Sequence, residues 1–119
     1  VGDGGSHYGS LTGTSAPATG AWNHIVVVSS GSSASVTLTQ YLNGAANGAT
    51  AFTNFTAADT NNSIKIASRN DLVTMFKGGM DEVRISSTSR SAGWIATEYS
   101  NQNSPSTFLA IGAQESNGG

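Results

Sequence analysis

Residues 76–86, FKGGMDEVRIS, constrain the fold of this chain most strongly. Side chains alternate between the two faces of a β-strand, so Asp81, Val83 and Ile85 share one face while Glu82 and Arg84 share the other. An aspartate on an apolar face must be hydrogen-bonded, bound to a cation, or at the rim of the core, because burying a bare carboxylate is too costly. The segment therefore predicts a strand, Gly79 to Ser86, of a β-sheet protein with a polar group turned inward.

The rest of the chain predicts short strands separated by turns. The apolar run Ile25 to Val28 indicates a central strand covered on both faces, and Ser35 to Leu42 alternates. Turns are predicted at Asn43-Gly44 and Asn47-Gly48, since these residues tolerate positive φ. The remaining predictions are strands at 63–67, 72–76 and 108–113, a turn at 69–71, a helix at 91–99 and a loop at 101–106. This pattern is typical of a β-sandwich.

Composition limits the class of protein. The chain has 119 residues, which fits one domain, assigned to residues 1–115 with a tail at 116–119. Only 10% of the residues are charged, the formal net charge is −2, and the five cations are dispersed, so nucleic acid is not expected as a partner. There is no cysteine, and no apolar stretch approaches the roughly 20 residues of a membrane-spanning helix. Abundant Ser, Thr and Asn are typical of extracellular or cell-surface β proteins.

Five blocks in order resemble laminin-G-like modules of the concanavalin A-like lectin/glucanase type. They are GAWNHIVVV at 20–28, QYLNG at 40–44, IKIA at 64–67, FKGGMDEVRIS at 76–86, and the helix and final strand that follow. The resemblance covers Trp22 to Ala113 and implies an all-β, two-sheet antiparallel jelly-roll sandwich with one short helix near the C-terminus. Only 21 residues precede Trp22, where the family has several strands, so the chain is expected to correspond to the latter part of a module.

A calcium site is one candidate site. Laminin-G-like modules often bind Ca²⁺, and Asp81 with Asp3 are the candidate ligands. The alternative is that Asp81 accepts hydrogen bonds from a neighbouring backbone. The alternative is favoured, because Ca²⁺ takes about six to eight oxygens and only one inward acid is evident.

A ligand site for a glycan is the other candidate. Sugar rings stack their C–H faces on aromatic side chains, and their hydroxyls pair with Asn, Asp and Arg. Trp22 and Trp94 are expected to pack in or against the core. The candidate ligand-binding residues are therefore Tyr8, Tyr41, Asn43, Arg69 and Asn70.

The sequence does not predict an enzyme. Asp81 and Glu82 are the only adjacent acids, and strand alternation sends them to opposite faces, so they cannot flank a glycosidic bond. No Gly-x-Ser-x-Gly elbow frames a serine, and His24 is expected to have a structural hydrogen-bonding role.

The resulting prediction is a non-catalytic binding or adhesion module that recognises a glycan or a surface protein, with calcium as a candidate cofactor. The alternative is a structural subunit of an extracellular filament, coat or virion, which would self-associate through open sheet edges.

Overall fold

The computed structural model describes residues 10–32, 35–53, 66–68, 75–108 and 112. An antiparallel sheet in the order β1-β2-β3 is followed along the chain by two helices. The elements are β1 (Ile25–Ser32), β2 (Ser35–Leu42), β3 (Ala45–Thr53), α1 (Ala92–Asn103) and α2 (Pro105–Phe108). The described residues are thus mostly β with a helical C-terminal part. The second sheet of the predicted sandwich is not among them.

The turn between β2 and β3 is the one that the sequence predicts at Asn43-Gly44. Leu42 pairs with Ala45, and the two residues between them have φ values of 51° and 80°. Two consecutive positive φ values define the type I′ hairpin turn, whose twist matches that of the flanking strands. This prediction is confirmed.

The second predicted turn, at Asn47-Gly48, is wrong, because both residues lie inside β3. Tyr41 pairs with Ala46 and Thr39 with Ala49, so that Gln40 faces two residues of β3. One extra residue on one strand makes a β-bulge, and the φ of 120° at Gly48 belongs to it. Positive φ at this position therefore belongs to a β-bulge and not to the predicted turn.

The bulge is also where the chain before β1 attaches to the sheet. Asn47 is 4% exposed, and its side-chain oxygen accepts hydrogen bonds from Thr14 Oγ1 (3.1 Å) and the Ser15 amide (2.9 Å). Its side-chain amide donates to the Ser15 carbonyl at 2.9 Å. A buried amide satisfied at both ends fixes the neighbouring segment in register with the strand.

The burial predicted for β1 is wrong in the described sheet. β1 lies at the edge of that sheet, and Ile25 and Val27 are both about half exposed. Within the described residues, the fully or nearly buried apolar side chains are Leu38 of the central strand β2 and Ile95 of α1.

The predicted strand at Gly79 to Ser86 is also wrong, since the structure shows no strand there and all of these residues are exposed. Two local features explain the difference. Glu82 has a φ of 52°, outside the β region, and its amide donates to Asp81 Oδ1 at 2.8 Å. Such a bond satisfies the backbone locally instead of through a strand ladder. The inward placement of Asp81 is wrong for the same reason.

The hairpin predicted around residues 69–71 lies mostly outside the described residues. Its described ends are joined by an antiparallel bridge between Ser68 and Met75, and the Phe76 amide donates to the Ala67 carbonyl at 2.7 Å. These contacts are those of the base of a hairpin.

The helix predicted at 91–99 is confirmed and runs further than expected. Ser91 is its N-cap, with Oγ accepting from the Trp94 amide at 3.2 Å, and α1 continues to Asn103. The predicted loop at 101–106 is therefore wrong. Phe108, predicted to begin the last strand, ends α2, and most of that predicted strand lies outside the described residues.

Replacing Gly44 should destabilise the fold, whereas replacing Gly93 should not. At Gly44 an added Cβ would lie 3.0 Å from Tyr99 Cδ1 and 3.3 Å from Ala96 Cα, at a φ of 80°. Gly44→Ala should lower the free energy of unfolding by at least about 1–2 kcal/mol. Gly93→Ala, within α1 and with nothing inside 4 Å, should raise it by about 0.5–1 kcal/mol. Urea unfolding of both variants tests this prediction. Equal changes in the free energy of unfolding would contradict the close contact between α1 and the turn.

Candidate functional site

Helix α1 lies against the Asn43-Gly44 turn and presents one face to the segment that precedes it. Trp94, Thr97, Glu98 and Asn101 follow the i, i+3, i+4, i+7 spacing of a single helix face. Ile95 next to them is fully buried and anchors the helix. The sheet turn thus fixes where this face is displayed.

An ion-pair cluster joins the exposed segment before α1 to the helix and the sheet. Arg84 donates through Nη1 to Glu98 Oε1 at 2.5 Å and through Nη2 to Glu82 Oε2 at 2.7 Å. The second carboxylate oxygen of Glu98 lies 3.7 Å from His24 Nε2. Three parts of the chain that are distant in sequence therefore meet at Glu98.

Two carboxylates in this cluster surround a single guanidinium. The hydrogen bond and charge of Glu82, together with the charge of Glu98, raise the pKa of the Arg84 guanidinium above its ordinary value. A raised pKa contributes stability below the unfolded-state pKa and loses it only as pH rises through the folded-state pKa. Since arginine titrates far above neutral pH, the guanidinium stays charged, and this shift gives no pH dependence in the physiological range.

A groove of about 250 Å³ opens between Arg84 and the helix face. It is lined by Arg84, Trp94, Thr97, Glu98 and Asn101. Drug-sized ligands occupy pockets of about 300–1,000 Å³, so this groove fits a smaller group or one unit of a longer chain. It is the candidate functional site.

His24 occupies the inner side of the cluster. Its ring lies 6.0 Å from that of Tyr99, and Nδ1 is buried without a hydrogen-bond partner. Its backbone is paired with the turn, because the His24 amide donates to Asn43 Oδ1 at 2.9 Å and the Asn43 amide donates to the His24 carbonyl at 2.8 Å. The predicted hydrogen-bonding role is therefore met by the backbone of this histidine, while no hydrogen bond of its ring is among the described contacts.

The predicted ligand-binding residues are not brought together within the described structure. Tyr8, Arg69 and Asn70 lie outside the described residues, and Tyr41 lies half-buried on β2. Asn43 uses both ends of its side chain within the chain, accepting from His24 and donating to Asn23 Oδ1 at 3.2 Å. Its assignment to a ligand stays a prediction.

The predicted calcium site is not tested by the described residues, which include one of its two predicted ligands. Asp3 lies outside the described residues, and Asp81 is exposed with Oδ1 accepting from the next amide. Among the residues that the structure describes, no three His, Cys, Asp or Glu side chains form a group that could hold a metal ion.

The tryptophans are placed differently from the prediction, which expected both in or against the core. Trp22 is 77% exposed and Trp94 is 42% exposed. Arg90 stacks over the Trp94 ring, with its guanidinium carbon 4.8 Å from the ring centroid. The helical spacing of Trp94, Thr97, Glu98 and Asn101 was the sequence signal that could have indicated this surface.

Loss of charge at Glu98 should destabilise the protein more than loss of charge at Glu82. The Glu98 side chain is 13% exposed and contacts both Arg84 and His24, whereas the Glu82 side chain is 59% exposed and contacts Arg84 alone. Exposed ion pairs contribute little, and Glu98 is the less exposed carboxylate and makes two contacts where Glu82 makes one. Urea unfolding should therefore rank wild type, Glu82→Gln and Glu98→Gln in falling stability. Equal stability of the two variants would contradict the conclusion that Glu98 contributes more to the ion-pair cluster than Glu82 does.

Neither the helices nor two searches of known proteins add a further assignment to this fold. None of the helices in the described part of the chain is long and apolar enough to cross a membrane. The search of the curated proteins and the search of the solved structures returned no match.

A family model matches most of the sequence. The match covers residues 1–96, from the N-terminal segment through the three strands to the first turn of α1. Its description is the concanavalin A-like lectin/glucanases superfamily, in its laminin-G-like branch. It includes the first four blocks of the resemblance and the start of the helix, begins earlier than Trp22, and ends before the predicted final strand. It agrees with the β-rich described structure. The chain therefore belongs to the concanavalin A-like lectin/glucanases superfamily.

Proposed function

We propose that this chain is a non-catalytic binding or adhesion module that recognises a glycan or a surface protein. The observation that carries the proposal is the family match over residues 1–96, because this superfamily suggests carbohydrate- or protein-binding modules. Laminin-G-like domains are generally non-catalytic and typically occur in extracellular proteins. We place the protein outside the cell or on its surface, and we infer a two-sheet jelly-roll sandwich as its fold.

The described carboxylates support binding rather than hydrolysis. A glycosidase needs two carboxyl groups that flank the scissile bond, one as acid and one as base or nucleophile. Glu82 and Glu98 instead converge on the guanidinium of Arg84, which engages both. Such a pair serves to hold the segment against the helix.

Calcium dependence is a further part of the proposal. Asp81 supplies one exposed carboxylate, and its neighbour Glu82 is turned toward Arg84. The described residues alone do not fit a calcium ion, which takes about six to eight oxygens. The proposed site therefore requires Asp3 or other oxygens from outside the described residues.

The protein should bind at least one ligand on glycan arrays or surface-protein arrays. Both would be probed with the labelled full chain, once in calcium and once in chelator. Loss of binding in chelator and in Asp81→Asn would support the calcium site, whereas binding unchanged in both would remove calcium from the proposal. A folded protein that binds nothing on either array would contradict the proposed function.

Self-assembly is the second candidate function, as a structural subunit of an extracellular filament, coat or virion. The observation that favours it is β1, which is an edge strand of the described sheet and carries the half-exposed Ile25 and Val27. Exposed apolar edge strands pair with other chains.

Light scattering distinguishes the two candidates. A binding module gives the mass of the single chain, 12.0 kDa, while edge pairing gives ordered multimers that Val27→Lys dissolves into monomers. A monomer at all concentrations would exclude assembly, and multimers that survive Val27→Lys would show that β1 is not the contact.

A further inference from the structure

We propose that the groove between Arg84 and α1 binds one pyranose ring of a neutral oligosaccharide, with Trp94 as the apolar contact. The inference rests on the proposed function and deepens it by naming a ligand class and a place. Neither the sequence prediction nor the family match assigns this surface. It lies between Arg84 and α1, and none of the predicted ligand-binding residues in the described part of the chain lines it.

The groove has the size and construction of a site for one ring. Its volume is about 250 Å³, below the range for drug-sized ligands, and it is open, so a longer chain can continue out of it. One wall is a regular helix face and the other is the guanidinium of Arg84, which is held by two carboxylates. The helix gives one wall of the groove a regular backbone, and the two carboxylates orient the guanidinium that forms the other wall.

Trp94 supplies the apolar surface that a sugar ring requires. It is 42% exposed although tryptophan usually buries most of its large ring. Arg90 lies over the ring, 4.8 Å from its centroid, but does not line the groove. The stacked guanidinium therefore restrains the indole from outside the groove, and the ring does not need to become ordered when a ligand binds.

The polar side chains of the groove match the hydroxyl groups of a sugar. Asn101 offers both a donor and an acceptor, and Glu98 offers carboxylate oxygens. Thr97 Oγ1 donates its hydrogen to the Gly93 carbonyl at 2.9 Å, which leaves its oxygen as an acceptor. Each hydroxyl group of a sugar can both donate and accept a hydrogen bond, so neighbouring hydroxyls can pair with these donors and acceptors.

The charges around the groove favour a neutral ligand. Arg84 and Arg90 carry two positive charges, and Glu82 and Glu98 carry two negative charges, so the four balance. The two terminal nitrogens of the Arg84 guanidinium, Nη1 and Nη2, are already paired with the carboxylates of Glu98 and Glu82. An anionic sugar would have to compete with Glu82 and Glu98 for this arginine, which makes acidic oligosaccharides the weaker ligands.

The test is isothermal titration of the full chain with cellotetraose, mannotetraose and maltotetraose, and with tetragalacturonic acid as the anionic comparison. The variants are Trp94→Ala, which removes the apolar contact, and Thr97→Arg, which fills the groove from an exposed helix position. Gln102→Ala is the matched control, because it lies on the same helix but not in the groove. Thermal unfolding confirms that each variant folds. If Trp94→Ala does not fold, the affinity measured for Thr97→Arg tests the groove assignment by itself.

We expect at least one neutral tetrasaccharide to bind, with affinity lowered at least about tenfold in Trp94→Ala and in Thr97→Arg. Gln102→Ala should change affinity by less than about twofold. The groove assignment is overturned if no neutral tetrasaccharide binds, if the acid binds more tightly, or if both groove variants keep wild-type affinity. If a ligand is nevertheless found on the arrays, only the groove assignment fails; if none is found there either, the proposed function fails with it.

Discussion

The close approach of α1 to the Asn43-Gly44 turn is the contact on which the rest of the structure depends. Gly44 has no side chain, and a Cβ there would press against Tyr99 and Ala96 of the helix. The positive φ that closes the hairpin and the space that admits the helix are thus required of the same residue. This coupling fixes the helix relative to the sheet, and with it the groove.

Polar side chains hold the strand ends on either side of this contact. Asn43 ties the turn to the start of β1 through His24, and it also donates to Asn23. Asn23 in turn closes its own loop by donating to the carbonyls of Ala18 and Ala21 at 2.8 and 3.0 Å. At the bulge, Asn47 binds the segment at Thr14 and Ser15 in the same manner. In the described part of this low-charge chain, asparagine side chains join separate segments as ion pairs often do in other proteins. The ion-pair cluster at Glu98 holds the helix.

Local chemistry explains which features were predictable from the sequence. The hairpin at Asn43-Gly44 and the helix after Ser91 depend on residues next to each other, so turn and capping rules predicted them. The bulge at Asn47-Gly48 was mistaken for a turn, since positive φ serves both and only the pairing with β2 decides between them. The strand at 79–86 has the correct alternation, but alternation does not supply a partner, and Glu82 leaves the β region.

The site was less predictable than the fold. The sequence predicts the two tryptophans in or against the core and ligand-binding residues elsewhere, and the second prediction stays untested because three of those residues lie outside the described part of the chain. The groove is formed between Arg84 and α1. Its construction needs the contact between Arg84 and Glu98, two residues 14 positions apart that no spacing motif connects. Family resemblance gave the class of protein correctly but did not indicate this surface.

The measurement that tests the account most directly is a nuclear Overhauser experiment between the Gly44 α-protons and the ring protons of Tyr99 in the full chain. We predict a strong cross-peak, because the turn and the helix are in van der Waals contact at this point. Absence of the cross-peak, with both residues assigned and the helix formed, would show that α1 does not sit on the turn, and the placement of the groove would be wrong.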